Sequence, residues 1–209
     1  MSIQPDDVAT KVLMDSAAEQ MIEKFLGIRV AEFEYVEELP QESVSSKRSD
    51  YTLQVTDRDG HTYIIIWEFL SVWKQRAISN LLDYTVRPML KFNLPVIPVV
   101  LLLKPASQAR EIFEEQNIRF KFTLVALDAM PAAAFMQSSD LRLLPFVAVM
   151  EGAENVVFEA EKKIYESALA REEKANLLTA LTIFAGLKNR ALAQQLVERK
   201  VHTNLLLSR

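Results

Sequence analysis

The chain predicts an α/β fold in which a helix, three antiparallel strands, a crossover helix and a buried strand are followed by helices at the C-terminal end. Two β-type runs, residues 49–56 and 62–69, flank the turn sequence Asp57-Arg58-Asp59-Gly60, which is typical of a hairpin. Residues 94–103 are almost continuously apolar, as in a strand that is buried on both faces. From Asn155 onward, apolar residues recur mostly at helical spacing.

The first half of the chain supplies the elements of the predicted core. Residues 7–26 form an amphipathic pattern that ends at Gly27, and this pattern predicts the first helix. A partly alternating strand over 28–39 ends at Pro40 and precedes the hairpin. Residues 72–90 carry one apolar helical face and predict the crossover helix that leads to the buried strand.

Beyond Pro105 the pattern becomes increasingly helical. We predict a short helix over 108–115 and a strand over 120–127, followed by a loop rich in alanine and serine. Three further helices, the last two separated by Gly186, are predicted over residues 159–170, 172–185 and 191–207. The chain therefore divides into an α/β domain, 1–150, and a helical C-terminal extension, 151–209, which packs on the core or forms a homo-oligomer interface.

Composition limits the possible functions. The 209 residues are half apolar, enough for one sizeable core. There is no cysteine, which excludes disulfides, thiolate zinc sites and cysteine nucleophiles. A net charge of −4 means that binding to DNA would need a local basic patch. The N-terminus is acidic where a signal peptide needs basic residues. The apolar run 94–103 is too short to span a bilayer. We therefore expect a cytoplasmic protein with no membrane partner.

Asp50 and Glu68 are the most informative pair of residues. In a hairpin, the start of the first strand lies beside the end of the second, so these carboxylates are expected to be neighbours at one end of the sheet. Two converging carboxylates repel each other unless a cation neutralises them. Two simpler roles are also compatible with the sequence: Asp50 is an ordinary edge-strand residue, and Glu68 forms a salt bridge with Arg48 or Lys47.

The segment KRSDYTLQVTDRDGHTYIIIWEFLS, within this order of elements, resembles the PD-(D/E)XK nuclease superfamily. The likeness is greatest to its recombination-promoting nuclease and putative transposase-like group, and it covers about half the chain, roughly residues 7–105. It implies a restriction-endonuclease-like core in which Asp50 and Glu68 hold Mg²⁺ or Mn²⁺ for hydrolysis of DNA phosphodiesters. The metal would polarise the phosphodiester and activate a water molecule.

The chain departs from the family pattern at Leu70. The superfamily places lysine or glutamine at this position, and leucine can neither orient a water molecule nor donate a proton. Lys74 and Gln75, at the start of the predicted crossover helix, are candidates for a displaced third group. If neither acts in this way, the chain is a catalytically inactive nuclease-fold protein that serves as a binding or assembly module.

Candidate substrate contacts lie around the carboxylate pair. Asn80 and Tyr84 are four residues apart on the crossover helix and share a face, in an arrangement that resembles one found beside the site in some of these nucleases. Arg48 and Arg76 could form a basic rim for DNA phosphates. The same residues are also compatible with a half-buried tyrosine whose hydroxyl reaches the surface, and with ordinary solvated cations.

Overall fold

The computed structural model describes residues 5–36 and 51–207. The chain divides into two compact units: one is formed by residues 22–126 and the other by residues 1–21 together with 127–209. This division differs from the expected one at residue 150, because most of the first helix belongs to the same unit as the C-terminal helices. No helix in the described ranges is long and apolar enough to cross a membrane.

The unit 22–126 is built on a mixed sheet, which confirms the α/β class. The strands of this unit are β1 (Val30–Tyr35), β2 (Tyr51–Asp57), β3 (Thr62–Leu70), β4 (Val96–Leu102), β5 (Ile112–Glu115), β6 (Ile118–Lys121) and β7 (Thr123–Ala126). Five of them form the mixed sheet, in the spatial order β1-β2-β3-β4-β7. The first three pair in antiparallel fashion, and β3, β4 and β7 run parallel.

The hairpin between β2 and β3 forms at the predicted turn. Asp57 Oδ1 accepts hydrogen bonds from the backbone N–H groups of Asp59 and His61, both at 2.9 Å. Gly60 has φ 84°, a left-handed conformation that costs glycine little. Turn chemistry of this kind fixes the register of the two strands.

The crossover helix α2 (Gln75–Phe92) connects β3 to the parallel strand β4. It begins three residues later than predicted, after an N-cap residue, Lys74, whose backbone is extended. It ends at Asn93, which has φ 53° and donates its backbone N–H to the carbonyl of Met89 at 3.2 Å. The buried residues of α2 are Ile78, Leu81, Tyr84 and Pro88.

The predicted helix over 108–115 is wrong. The segment contains β5, which pairs in antiparallel fashion with β6, and Gln116 between them has φ 50°. Phe113 and Phe120 lie opposite each other and are both buried, so the hairpin buries one apolar side chain from each strand. The strand predicted over 120–127 is two short strands, β6 and β7, which belong to different sheets.

The other unit is helical. The first helix, α1 (Pro5–Leu26), contributes its residues up to Met21 and stops before Gly27, which has φ 69°. Its remaining elements are α3 (Ala132–Ser138), a 3₁₀ segment (Leu141–Val149), α4 (Ala153–Glu166), α5 (Arg171–Lys188) and α6 (Arg190–Leu207).

Two predictions about this region need correction. The stretch expected to be a loop rich in alanine and serine contains α3 and the 3₁₀ segment, and residues 143–149 of the latter are buried. Gly186 does not separate the last two helices but lies inside α5, and the break falls at Asn189. Asn189 Oδ1 accepts the backbone N–H of Ala191 at 2.9 Å, so an N-cap sets the boundary.

Candidate functional site

Glu68 lies on the face of β3 that is covered by α2. The pairing of β3 with β4 is continuous from Ile64 to Leu70, so the side chains alternate without interruption. Ile66 and Leu70, which flank Glu68 on the same face, belong to one apolar cluster with the α2 residues Ile78, Leu81 and Tyr84. Glu68 is therefore a charged residue between two apolar residues on this face of β3.

The carboxylate of Glu68 is partly removed from solvent. The residue is half-buried, and its Oε2 atom is buried. A carboxylate oxygen next to apolar side chains loses hydration that only hydrogen bonds or a cation can replace. Glu68 is therefore not a fully solvated surface carboxylate.

The predicted partner of Glu68 is Asp50, which lies outside the described residues. The last described pair of the β2 and β3 ladder is Tyr51 with Trp67. The next positions outward in the sequence are 50 and 68. Arg48 also lies outside the described residues, so both the carboxylate pair and this part of the basic rim stay predictions.

Leu70 shares the face of Glu68, two residues further along β3. It is 8% exposed and packs in the same apolar cluster as Ile66 and Tyr84. Residue 70 therefore differs from the PD-(D/E)XK pattern in its type, and its apolar side chain lies on the same face as Glu68. At the position where the pattern calls for a polar third group, the structure has a core residue.

Lys74, Gln75 and Arg76 lie together at the start of α2, and all three are exposed. The Lys74 carbonyl accepts the backbone N–H of Ala77 at 2.9 Å, which forms the first turn of the helix. Because the chain passes directly from the end of β3 through residues 71–74 into α2, these side chains lie near the end of the sheet that carries Glu68. A long, flexible side chain such as that of Lys74 suits a reaching role from an exposed helix start.

Asn80 and Tyr84 differ in burial although they share a face of α2. Tyr84 is 6% exposed and belongs to the apolar cluster, so it lies deeper than a half-buried tyrosine would. Asn80 is half-buried. The structure therefore places Asn80 nearer the solvent than Tyr84 on this face of α2.

An aromatic layer supports β3 from the opposite face. Trp67 is fully buried, and its ring lies 6.4 Å from that of Phe25 and 6.3 Å from that of Phe69, measured between centroids. Among the described residues, no acceptor lies within hydrogen-bond distance of Trp67 Nε1. This packing stabilises the strand that carries Glu68.

Sequence reasoning missed the aromatic wall beside the Glu68 face. Phe113, Phe120 and Phe122 all join its apolar cluster, and the rings of Phe120 and Phe122 lie 5.7 Å apart. The alternation of Phe120 and Phe122 with Lys121 lies partly within the strand predicted over 120–127, whereas Phe113 fell in the helix predicted over 108–115.

Within the described part of the chain, no three or more histidine, cysteine, aspartate or glutamate side chains form a group suited to a metal ion. Because Asp50 is outside that part, the predicted pair is not tested by this finding. Comparison of the chain with protein-family models, with curated proteins and with solved structures finds no match.

Proposed function

We propose that this chain is a metal-dependent nuclease of the PD-(D/E)XK type, with a restriction-endonuclease-like core, that hydrolyses phosphodiesters of DNA. The observation that carries the proposal is the position of Glu68. Its half-buried carboxylate follows directly after the last described pair of the β2 and β3 ladder. The surrounding sheet has an antiparallel meander, a crossover helix and a parallel strand in the order that the family resemblance implies.

Asp50 is the proposed second ligand. If the ladder continues outward by one residue pair, Asp50 stands opposite Glu68, and directly opposed side chains in an antiparallel pair lie on the same face. Two carboxylates on one face are a suitable donor set for Mg²⁺ or Mn²⁺, which prefer oxygen ligands. When bound, such an ion would polarise the phosphodiester and lower the pKa of a water molecule.

The residues around the pair have distinct proposed roles. Lys74 or Gln75, exposed at the start of α2, would reach the attacking water or the developing negative charge in place of residue 70. Arg76 and Arg48 would bind DNA phosphates, and Asn80 would orient one of them. The buried Leu70 excludes water from one side of the site.

The burial of Leu70 also favours a second function. A nuclease fold without a polar third group on the catalytic face can bind a metal or nucleic acid without cleaving it. The chain would then act as a binding or assembly module. The net charge of −4 is consistent with this alternative, since it gives no overall attraction to DNA.

Metal binding can be measured separately from cleavage. Mn²⁺ should raise the melting temperature of the wild-type protein, because a ligand that binds only the folded state stabilises it, by about 2.7 kcal/mol at 100 times its dissociation constant. The shift should be lost in Asp50→Asn and in Glu68→Gln. The matched control is Glu32→Gln, which removes an exposed carboxylate on β1 and should retain the shift.

Incubation with supercoiled plasmid DNA and Mg²⁺ or Mn²⁺ distinguishes the two functions. Cleavage that disappears in both carboxylate variants, and falls in Lys74→Ala or Gln75→Ala, supports the nuclease. Binding of Mn²⁺ without cleavage supports the binding module. Cleavage that survives both Asp50→Asn and Glu68→Gln would show that these residues have no catalytic role.

A further inference from the structure

The edge strand β1 differs from the other strands of its sheet in its exposure. After Val30, every residue of β1 is exposed. Glu32 and Glu34 alternate with Phe33 and Tyr35, so one face of the strand carries two carboxylates and the other two aromatic rings. Phe33 is 38% exposed and Tyr35 40%, high values for aromatic residues in a strand.

The backbone of β1 presents hydrogen-bonding groups to its open side, where no strand within residues 5–36 and 51–207 pairs with it. Val36 donates its N–H to the carbonyl of Thr52 at 2.9 Å, directly opposite it in the register. Because bonding alternates along an antiparallel pair, the backbone groups of Glu34 and Glu32 also point toward β2. The N–H and C=O of Phe33 therefore point away from β2, toward the open side.

The two carboxylates of β1 are not neutralised by the described part of the chain. Neither Glu32 nor Glu34 forms an ion pair there, whereas Glu114 on the β5–β6 hairpin pairs with Arg119 at 3.1 Å. The two glutamates lie on one face, about 7 Å apart. They form a short row of negative charge along the exposed edge.

This charge pattern argues against a second copy of the chain as the strand's partner. Antiparallel pairing of two β1 strands about Phe33 would bring Glu32 of one copy opposite Glu34 of the other, and like charges directly opposite each other are destabilising. A strand with lysine or arginine at alternate positions would instead face both carboxylates.

We propose that β1 is a docking edge for an extended, basic segment of another protein, which adds a strand to the sheet. Backbone hydrogen bonds to Phe33 would hold the segment, and basic side chains at alternate positions would pair with Glu32 and Glu34. Its intervening side chains would pack on the rings of Phe33 and Tyr35. The proposal does not depend on nuclease activity: Glu32 and Glu34 lie on the same face of the sheet as Glu68, but the groups that would bind the segment belong to the edge strand β1 and not to β3.

A different function for the same carboxylates is protection of the edge. Charged residues and bulges are common devices against edge-to-edge aggregation, and the register of β1 shifts between Val30 and Glu32. If protection were their whole purpose, the edge would bind no strand, and neutralising the glutamates would cause self-association. The two functions predict opposite results in one experiment.

The experiment uses the full chain and fluorescently labelled peptides that alternate lysine with threonine. Fluorescence anisotropy at low ionic strength should show saturable binding, because exposed charges attract most strongly there. A peptide of equal charge with proline in place of threonine is the matched probe control. It retains the electrostatic attraction but cannot form a ladder, and it should bind at least roughly tenfold more weakly.

Charge reversal provides the decisive variant. The double variant Glu32→Lys with Glu34→Lys should bind a peptide that alternates glutamate with threonine more tightly than the lysine peptide. We expect its affinity for the lysine peptide to fall roughly tenfold, since two exposed ion pairs are lost. Phe33→Pro removes the outward N–H and should abolish binding, whereas Phe33→Thr retains that N–H and should retain most of it. Thermal unfolding confirms that each variant is folded.

Three results would overturn the proposal. The first is equal binding of the threonine and proline peptides to the wild type, which would indicate charge attraction alone. The second is no exchange of preference in the folded double-lysine variant. The third is no peptide binding combined with self-association of Glu32→Ala and Glu34→Ala, which would assign the carboxylates to edge protection.

Discussion

The two ends of the β2–β3 hairpin each carry a carboxylate, and the surroundings of the two differ in kind. Asp57 stands at the turn and receives hydrogen bonds from residues that follow it closely in the sequence. Glu68 stands at the opposite end, on an apolar face built from distant parts of the chain. The first carboxylate organises its own turn, and the second depends on the whole sheet unit for its environment.

The network around Asp57 is local. Its Oδ1 accepts two backbone N–H groups at 2.9 Å, and its Oδ2 accepts the hydroxyl of Tyr63 at 3.0 Å and lies 3.3 Å from Nδ1 of His61. The backbone N–H of His61 and then the hydroxyl of Tyr63 hold the pKa of Asp57 below its ordinary value. These donors give the Asp57 carboxylate a structural role in the turn.

The environment of Glu68 is assembled from several elements. Its neighbours on the face come from β3 and α2, and β4 and the β5–β6 hairpin complete the cluster. Local turn chemistry does not explain a carboxylate in such a place. This difference is the reason to propose a functional role for Glu68 and a structural role for Asp57.

Leu70→Lys tests this contrast with the largest expected effect. The change introduces the lysine that the PD-(D/E)XK pattern has at this position, and it places an ammonium group in a cluster where Leu70 is 8% exposed. We expect a loss of about 2–4 kcal/mol in the free energy of unfolding, measured by urea denaturation. Leu70→Met, which nearly conserves volume, should cost less than about 1.5 kcal/mol.

A loss below about 1 kcal/mol for Leu70→Lys would contradict the interpretation of this position as core. It would mean that the Glu68 face admits a charged group and the water that accompanies it. Gain of DNA cleavage in the same variant would then identify residue 70 as the missing catalytic position.

The turn end and the order of elements as far as β4 could be predicted from the sequence, because both depend on short-range patterns. Residues 57–60 form a turn because the Asp57 side chain accepts a backbone N–H within it. The continuous apolar sequence of β4 is typical of a buried strand. The orientation of Leu70 could not be predicted, since a register error of one residue reverses every side chain. The unbroken ladder with β4 fixes this orientation in the structure.

Other failures have similar physical causes. The mixture of polar and apolar residues over 108–115 is compatible with a short helix. The hairpin forms because Phe113 and Phe120 pair across it and pack in the apolar cluster. Gly186 is tolerated inside α5, where a Cβ would meet the side chain of Ala193 at 3.6 Å, an ordinary contact distance. The pairing of Asp50 with Glu68 stays a prediction from the hairpin.

Gly60→Ala tests the turn end with an intermediate effect. A Cβ at this position meets nothing within 4 Å, so the cost comes only from the left-handed backbone with φ 84°. We expect a loss of roughly 1 kcal/mol in the free energy of unfolding. Gly60→Asn should lose less, because asparagine tolerates this conformation. Equal losses in the two variants would argue against a conformational cause.

Asp57→Asn should have a smaller effect, since the amide oxygen can still accept the two backbone N–H groups and only the charge is lost. The lowered pKa of Asp57 means that its ionised form stabilises the fold above the ordinary value of 3.8. This contribution is lost as the pH falls through the lower pKa of the folded state. The difference in melting temperature between wild type and variant should therefore narrow below pH 3.8, and a difference that stays constant would contradict the assignment.

Tyr63→Phe should have the smallest effect at neutral pH, because it removes one hydrogen bond at the edge of the turn. Partial burial of the phenol, and then its hydrogen bond to Asp57, hold the pKa of Tyr63 above its ordinary value of 10.0. The neutral phenol therefore stabilises the fold below pH 10.0, and this stabilisation is lost as the pH rises through the higher pKa of the folded state. The melting temperatures of wild type and Tyr63→Phe should converge in this alkaline range. The control is Tyr165→Phe, at a site 45% exposed, whose melting temperature should match that of the wild type at neutral pH. Convergence at acidic pH alone would show that the hydroxyl contributes only through the charge of Asp57.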